Sequence, residues 1–423
     1  MDVRAPQGRP GSSPLLYVRQ PDFIPRVRVI PSRAVKLSAR ASRIGESATL
    51  KVARRALALK ASGVPIVDFG AGEPDFPTPA VAVEAAQKAL QEGFTRYTAG
   101  SGIPSLREAV AEEYRRRYGA PWKMADTIIT VGAKAALFQL ALAVMDVGEE
   151  VILPSPCWVS FEEQIRFAGA KPVTVPTSGA DGFRIHAGPI LEAVTSRTRA
   201  ILLNSPGNPT GGVVGAEDLR QIVTFAAEHG LLVISDETYG RFFYEDEPAS
   251  AAALASEFPE TVALVSSFSK TYSMTGWRIG YLLGPPEVIH AVENIQSHAT
   301  SNPTSFAMMG ALEALRHAEP DVEAMIAEYR ARRELLIPRL NQIPGFRCRP
   351  PAGAFYAFPD VTACYRPGRE DSVALAEYLL EEAQVVVVPG SAFGNDDHIR
   401  ISFACSRAAL EEGLSRMADV LSR

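Results

Sequence analysis

The stretch TIITVGAKAALFQLALAVMDVGEEVIL, Thr127 to Leu153, decides the fold. It opens with a short β-branched run, Thr127–Val131, and turns at Gly132. An apolar segment continues to Met145, and a second short run follows from Glu150. Gly132 and Lys134 interrupt the apolar part, and its periodicity changes there, so it reads as a buried strand running into a core helix and not as a membrane span. Similar short runs recur at Lys171–Val175, Arg199–Leu203, Leu231–Ser235, Val262–Ser266 and Gly280–Leu283, with amphipathic segments between them. Apolar strands separated by helices predict an α/β fold with a mostly parallel seven-stranded sheet covered on both faces. Ligands in such sheets bind beyond the carboxyl ends of the strands. Gly132-Ala133-Lys134, Asn204 to Gly212, Asp236 to Tyr239 and Ser266 to Lys270 are the turns that fall there.

Beyond residue 315 the pattern changes. A long helix (Val322 to Asn341), a strand pair around Phe346–Phe358, a helix (Ser372–Glu382), a strand (Val385–Val388) and a closing helix (Arg407–Leu421) predict a smaller α+β domain. The expected organisation is an extension (1–36), a first part of the small domain (37–80), a large domain (81–315) and the rest of the small domain (316–423). With 423 residues, 47% hydrophobic and 22% charged, the chain has ordinary globular composition. Its net charge of −5 offers no electrostatic footprint for nucleic acid. The one basic cluster, Arg115–Arg117, follows Glu112 and Glu113 in a helical pattern and reads as an ion-paired face. Four cysteines without CxxC spacing argue against a structural metal or a disulfide framework and for a reducing compartment, the cytoplasm. The Arg-, Pro- and Ser-rich residues 1–36 read as an arm packed on the surface, a flap near the active site or an organellar leader.

The chemistry concentrates in SFSKTYSMTGWRIGY, Ser267 to Tyr281, where a lysine stands just past a strand end with an arginine eight residues later. An amine at the mouth of a sheet acts as a nucleophile only if its surroundings lower its pKa. This segment resembles the Schiff-base motif of the fold type I, class I/II aminotransferases. Four more blocks resemble the same family in order and spacing: AGEPDFPTP (Ala71 to Pro79), Tyr97 with GIPSLREA (Gly102 to Ala109), NSPGNPTGG (Asn204 to Gly212) and SDETY (Ser235 to Tyr239). The likeness extends from about Leu37 to the C-terminus and is closest to the aspartate aminotransferase branch.

The resemblance implies pyridoxal 5′-phosphate as cofactor, with Lys270 as its Schiff-base lysine and the proton carrier in a ping-pong exchange between an amino acid and a 2-oxo acid. It implies that Asp236 faces the pyridine nitrogen, that Asn208 and Tyr239 bond the phenolate oxygen, and that Trp158 stacks on the ring. A carboxylate after an apolar strand is costly unless paired with a cation, which agrees with that role for Asp236. Gly132, Ala133 and Lys134 open a helix whose free N–H groups suit a phosphate. Ser267 and Arg278 would complete that cradle, and Tyr97 would reach in from the second subunit of a homodimer.

For the substrate, Arg400 in HIRISFA matches the arginine that grips the α-carboxylate, a bidentate geometry that lysine cannot reproduce. Gly72, Asn208 and Trp158 would assist. Lys134, Ser297 and Thr49 match the positions that hold a distal carboxylate in the aspartate branch, which implies dicarboxylic substrates. Each also has an ordinary explanation: a surface charge, an interfacial hydroxyl and a helix cap. Members of that branch that also accept prephenate carry a lysine where this chain has Gly45. Gly207 and His298 also depart from the branch pattern. The alternative is a specialised enzyme running γ-elimination or replacement, oxidation or ring-forming condensation on the same scaffold.

Overall fold

The computed structural model describes residues 35–38, 42 and 48–423, and of residues 48–53 it describes the backbone alone. The extension to residue 34 and Gly45 therefore lie outside the described residues. Residues 48–423 belong to one compact unit.

The seven strands read from the sequence form one sheet: β1 (Thr127–Thr130), β2 (Glu150–Ser155), β3 (Lys171–Pro176), β4 (Thr198–Asn204), β5 (Leu232–Asp236), β6 (Val262–Ser267) and β7 (Gly280–Leu283). Their spatial order is β1-β7-β6-β5-β4-β2-β3. All neighbours run parallel except β7, which is antiparallel to both β1 and β6. Successive side chains on a strand point to opposite faces, so each strand feeds two cores. Ile201, Leu203, Val233 and Leu264 enter the core on one face, and Ala200, Leu202, Leu232 and Ala263 enter the core on the other. Helices cover both faces, which is why the strands are apolar throughout. The exception is the edge strand β3, of which only Val175 is buried.

A third core gathers the C-terminal third of the chain around Tyr329, Phe355, Tyr356 and Phe403. Val67–Asp68 pairs in parallel with Val385–Val386, tying the segment ahead of the large sheet to this region. The strand pair expected around Phe346–Phe358 is reduced to the two-residue strand Tyr356–Ala357 and isolated bridges such as Arg347 to Asp360. Pro350 and Pro351 supply no N–H to a ladder, which accounts for the shortened strands. The basic cluster is ion-paired: Arg115 to Glu108 at 2.7 Å, Arg116 to Glu113 at 2.8 Å and Arg117 to Glu247 at 2.8 Å. No helix among the described residues is long and apolar enough to cross a membrane.

Candidate active site

A cavity of about 530 Å³ opens at the carboxyl ends of the parallel strands, lined by Gly72, Ala133, Lys134, Trp158, Asn208, Asp236, Tyr239, Ser267, Lys270, Arg278 and Arg400. Asp236 ends β5 and pairs in register with Asn204 of β4. Asn204 Nδ2 donates to the Asp236 carbonyl at 3.0 Å, and its Oδ1 accepts from Asn208 N at 3.0 Å, which fixes two of the loops to each other. Lys270 lies in the one-turn helix Phe268–Thr271 directly after β6.

Three charges in this cavity have no ion-pair partner among the described residues. Asp236 is 4% exposed, and its carboxylate accepts only from Thr238 N, at 3.0 Å, among the hydrogen bonds of the described residues. Burial pushes its pKa up to about 6. Arg400 stands in the strand Ile399–Ser402 and is 3% exposed. It donates from Nη1 to Asn208 Oδ1 at 3.0 Å and from Nη2 to the Gly70 carbonyl at 2.8 Å, and its buried Nε has no partner. No carboxylate of the described residues pairs with it, and burial lowers its pKa. Lys270 Nζ donates to the Gly72 carbonyl. Burial lowers the amine to about 8, with Glu73 opposing the shift and Arg400, Arg278 and Lys134 adding to it. Isolated buried charges cost several kcal/mol each even after relaxation. A ligand with an anionic end for Arg400 and a protonated nitrogen for Asp236 would supply what is missing.

The phosphate-like end of the cavity is built by close backbone approach. The helix Ala133–Val144 starts at Gly132, whose φ is 77°. A Cβ on Gly132 would lie 2.7 Å from Arg278 Nη2, and one on Gly280 would lie 2.4 Å from Ala133 N. These glycines let the arginine and the start of β7 press against a helix N-terminus, whose first N–H groups have no helical partners. Lys134 Nζ sits 4.7 Å from the centre of the Trp158 ring. Burial lowers the Lys134 pKa, and Arg278 adds to that.

The profile of the family described as aminotransferase class I and II matches residues 64–417. The chain belongs to that family. It is an enzyme that transfers amino groups, on the fold type I scaffold. It is 41% identical to an aspartate aminotransferase of Geobacillus stearothermophilus across 90% of this chain and 98% of that one. It is 43% identical to an aspartate/prephenate aminotransferase of Thermus thermophilus across 92% and 99% of the two chains. Among solved structures, the Thermus thermophilus aspartate aminotransferase with maleate superposes at a TM-score of 0.87, with 43% identity over 91% of this chain and all of that one. Enzymes of this family use pyridoxal 5′-phosphate.

Four expected site residues of this aminotransferase are not among the residues lining the cavity. Gly132 stands behind Arg278, as described. Tyr97 is 90% exposed. Ser297 is exposed on the helix Pro286–Ala299, where its Oγ donates to the Asn294 carbonyl at 2.8 Å. Thr49 is the second residue of the helix Ala48–Ala61, but its side chain lies outside the described residues. His298 is also exposed, on the same helix as Ser297. Conversely, Asn204, Thr238, Ser269, Thr275 and Tyr356 line the cavity without having been singled out. The first four lie inside quoted motifs and could have been found there. Tyr356 could not, because a tyrosine in an apolar strand reads as core.

Proposed function

We propose that this aminotransferase binds pyridoxal 5′-phosphate and exchanges the amino group between a dicarboxylic amino acid, aspartate or glutamate, and a 2-oxo acid, working as a cytoplasmic homodimer. The buried Asp236 and Arg400, lining one cavity with a lysine whose amine is lowered to about 8, carry this reading. The donor set fits the cofactor. Asp236 would hold its ring nitrogen protonated, Tyr239 and Asn208 its phenolate oxygen, Trp158 its face, and Arg278, Ser267 and the N–H groups of Ala133 and Lys134 its phosphate. When bound, it supplies an aldehyde that takes the amine and a ring that accepts electron density from Cα.

The chain's own groups do the rest. Arg400 presents two N–H donors to the α-carboxylate in a fork that orients the Cα–H bond. Lys270 Nζ, with its pKa lowered toward neutrality, accepts the Cα proton and gives one back. Lys134, with Thr49 and the partner subunit's Ser297, would hold the distal carboxylate. Tyr97, so exposed on its own subunit, would serve the neighbouring site. Residues 81–315 would form the cofactor-binding lobe, with 37–80 and 316–423 as the smaller one. All four cysteines are free, in keeping with a reducing compartment.

Purified protein supplied with pyridoxal phosphate, aspartate and 2-oxoglutarate should yield glutamate and oxaloacetate in equal amounts. Lys270→Ala should abolish turnover and keep cofactor uptake. Failure of any dicarboxylic donor to exchange its amino group, or a product that keeps the nitrogen, would refute the proposal.

A further inference from the structure

Tyr356 lines the cavity and touches several of its working groups. It is 0% exposed and pairs with Ser402 on the strand that carries Arg400. Its hydroxyl lies 2.7 Å from Tyr239 Oη. The Arg400 guanidinium sits 4.6 Å from its ring centre. A Cβ on Gly72, whose carbonyl accepts from Lys270, would come within 3.3 Å of Tyr356 Oη. One phenol thus meets the substrate-facing cation, the tyrosine assigned to the cofactor, and the backbone that holds the lysine.

Two hydroxyls at that distance share one of their two protons, and the other is free to point elsewhere. Which oxygen donates depends on which phenol is more acidic. Burial raises the pKa of both, and the Arg400 charge offsets this foremost at Tyr356. The guanidinium lies over the Tyr356 ring, and among the described residues no cation lies over the ring of Tyr239. Tyr356 is therefore the better donor of the two.

We propose that Tyr356 donates to Tyr239 Oη and so commits the Tyr239 proton to the cavity, toward the anionic oxygen of bound pyridoxal phosphate. Tyr356 is then a positioning residue for amino transfer, acting through Tyr239. The inference rests on the proposed function.

The test is a pH titration of the visible absorbance of the holoenzyme, which reads the proton held between Lys270 and the cofactor. Tyr356→Phe should raise the midpoint by roughly 0.3 to 1 unit, the worth of one buried neutral hydrogen bond. The phenylalanine ring stays under Arg400, so KM should hold while kcat falls. In a Tyr239→Phe background the same change should add no further shift, because the effect has lost its carrier. Should Tyr356→Phe fold poorly, 3-fluorotyrosine at position 356, a more acidic phenol of nearly the same size, should lower the midpoint. An unmoved midpoint in a Tyr356→Phe enzyme that still binds cofactor, or additive shifts in the double variant, would overturn the inference and leave the proposed function standing. A wild-type protein that takes up no pyridoxal phosphate would overturn both.

Discussion

Arg332 and Arg400 are both buried guanidiniums, 5% and 3% exposed, and they are compensated in opposite ways. Arg332 lies between two carboxylates: Nη1 meets Asp75 Oδ1 at 2.7 Å and Nε meets Glu328 Oε1 at 2.9 Å. The same Glu328 oxygen accepts from Arg407 Nε at 2.9 Å, and the Phe76 and Tyr329 rings flank the guanidinium. Arg400 has an amide oxygen, a backbone carbonyl and aromatic faces, but no carboxylate of the described residues. The first arrangement spends its charge on holding the chain together. The second keeps its charge available for something that is not part of the chain.

The sharpest way to break that contrast is to neutralise each arginine in turn. Arg400→Leu should cut kcat/KM for a dicarboxylic donor by roughly 10²- to 10³-fold, the usual cost of losing one partner of a buried charged pair. The unliganded protein should lose no stability, because the cation removed was unpaired. Arg332→Leu should do the reverse. It should lower the unfolding free energy by about 3 kcal/mol, because two carboxylates lose their shared partner. Its kcat/KM should hardly change. Steady-state kinetics and urea unfolding on both variants would decide, and equal stability losses would end the distinction.

The titrating groups should sharpen it further. Asp236 has a folded pKa of about 6, above the 3.8 of an ordinary aspartate. Its contribution to stability is therefore full below the ordinary value and is lost as pH rises through the folded one. At neutral pH the cofactor-free protein carries that penalty, so Asp236→Asn should stabilise it by about 1–2 kcal/mol. The gain should disappear in acid, and cofactor affinity should fall. Lys270, lowered to about 8 from 10.5, penalises the cofactor-free fold below its folded pKa. That penalty is relieved as pH rises toward the ordinary lysine value. Lys270→Met should accordingly raise the thermal midpoint of the cofactor-free protein at neutral pH, where a drop would contradict the sign.

The same contrast governs how much could be read from the sequence. Six strands of the large sheet were legible because burial leaves an apolar run, and several runs end in polar turns; the mostly exposed β3 was legible from its valines alone. Lys270, Asp236 and Asn208 fall in turns at strand ends, where such sheets deliver side chains, and the family resemblance suggested their roles and that of Arg278. Arg400 required more, since a single arginine in HIRISFA is explained only by its family resemblance until the fold shows Asn208 and Gly70 beside it. Of the Arg332 cluster only the i,i+4 pair Glu328 and Arg332 is local; Asp75 and Arg407 join it only in the folded chain. Tyr356 is the limiting case, because a tyrosine in an apolar run reads as core, and nothing local announces a second hydroxyl waiting there. The roles proposed for Tyr97 and Ser297 call for a second subunit, which no pattern within one chain displays.

The smallest expected effect tests the compensated side alone. Hydrogen bonding from Arg407, helped by Arg332, holds the Glu328 carboxyl down at about 2, against 4.5 for an ordinary glutamate. Its stabilisation is complete above the ordinary value and is lost as pH falls through the folded one, the opposite course to that of Asp236. The side chain is 27% exposed, so solvent and salt screen much of the interaction. Glu328→Gln should therefore cost only about 0.5–1 kcal/mol at neutral pH. Thermal melts of wild type and variant should differ most above the ordinary glutamate pKa and converge in strong acid. Added salt should narrow the gap at neutral pH while leaving the Asp236→Asn gain nearly intact, because that carboxylate is buried. A gap that is unchanged in acid would mean that packing around Arg332, not charge, holds this region together.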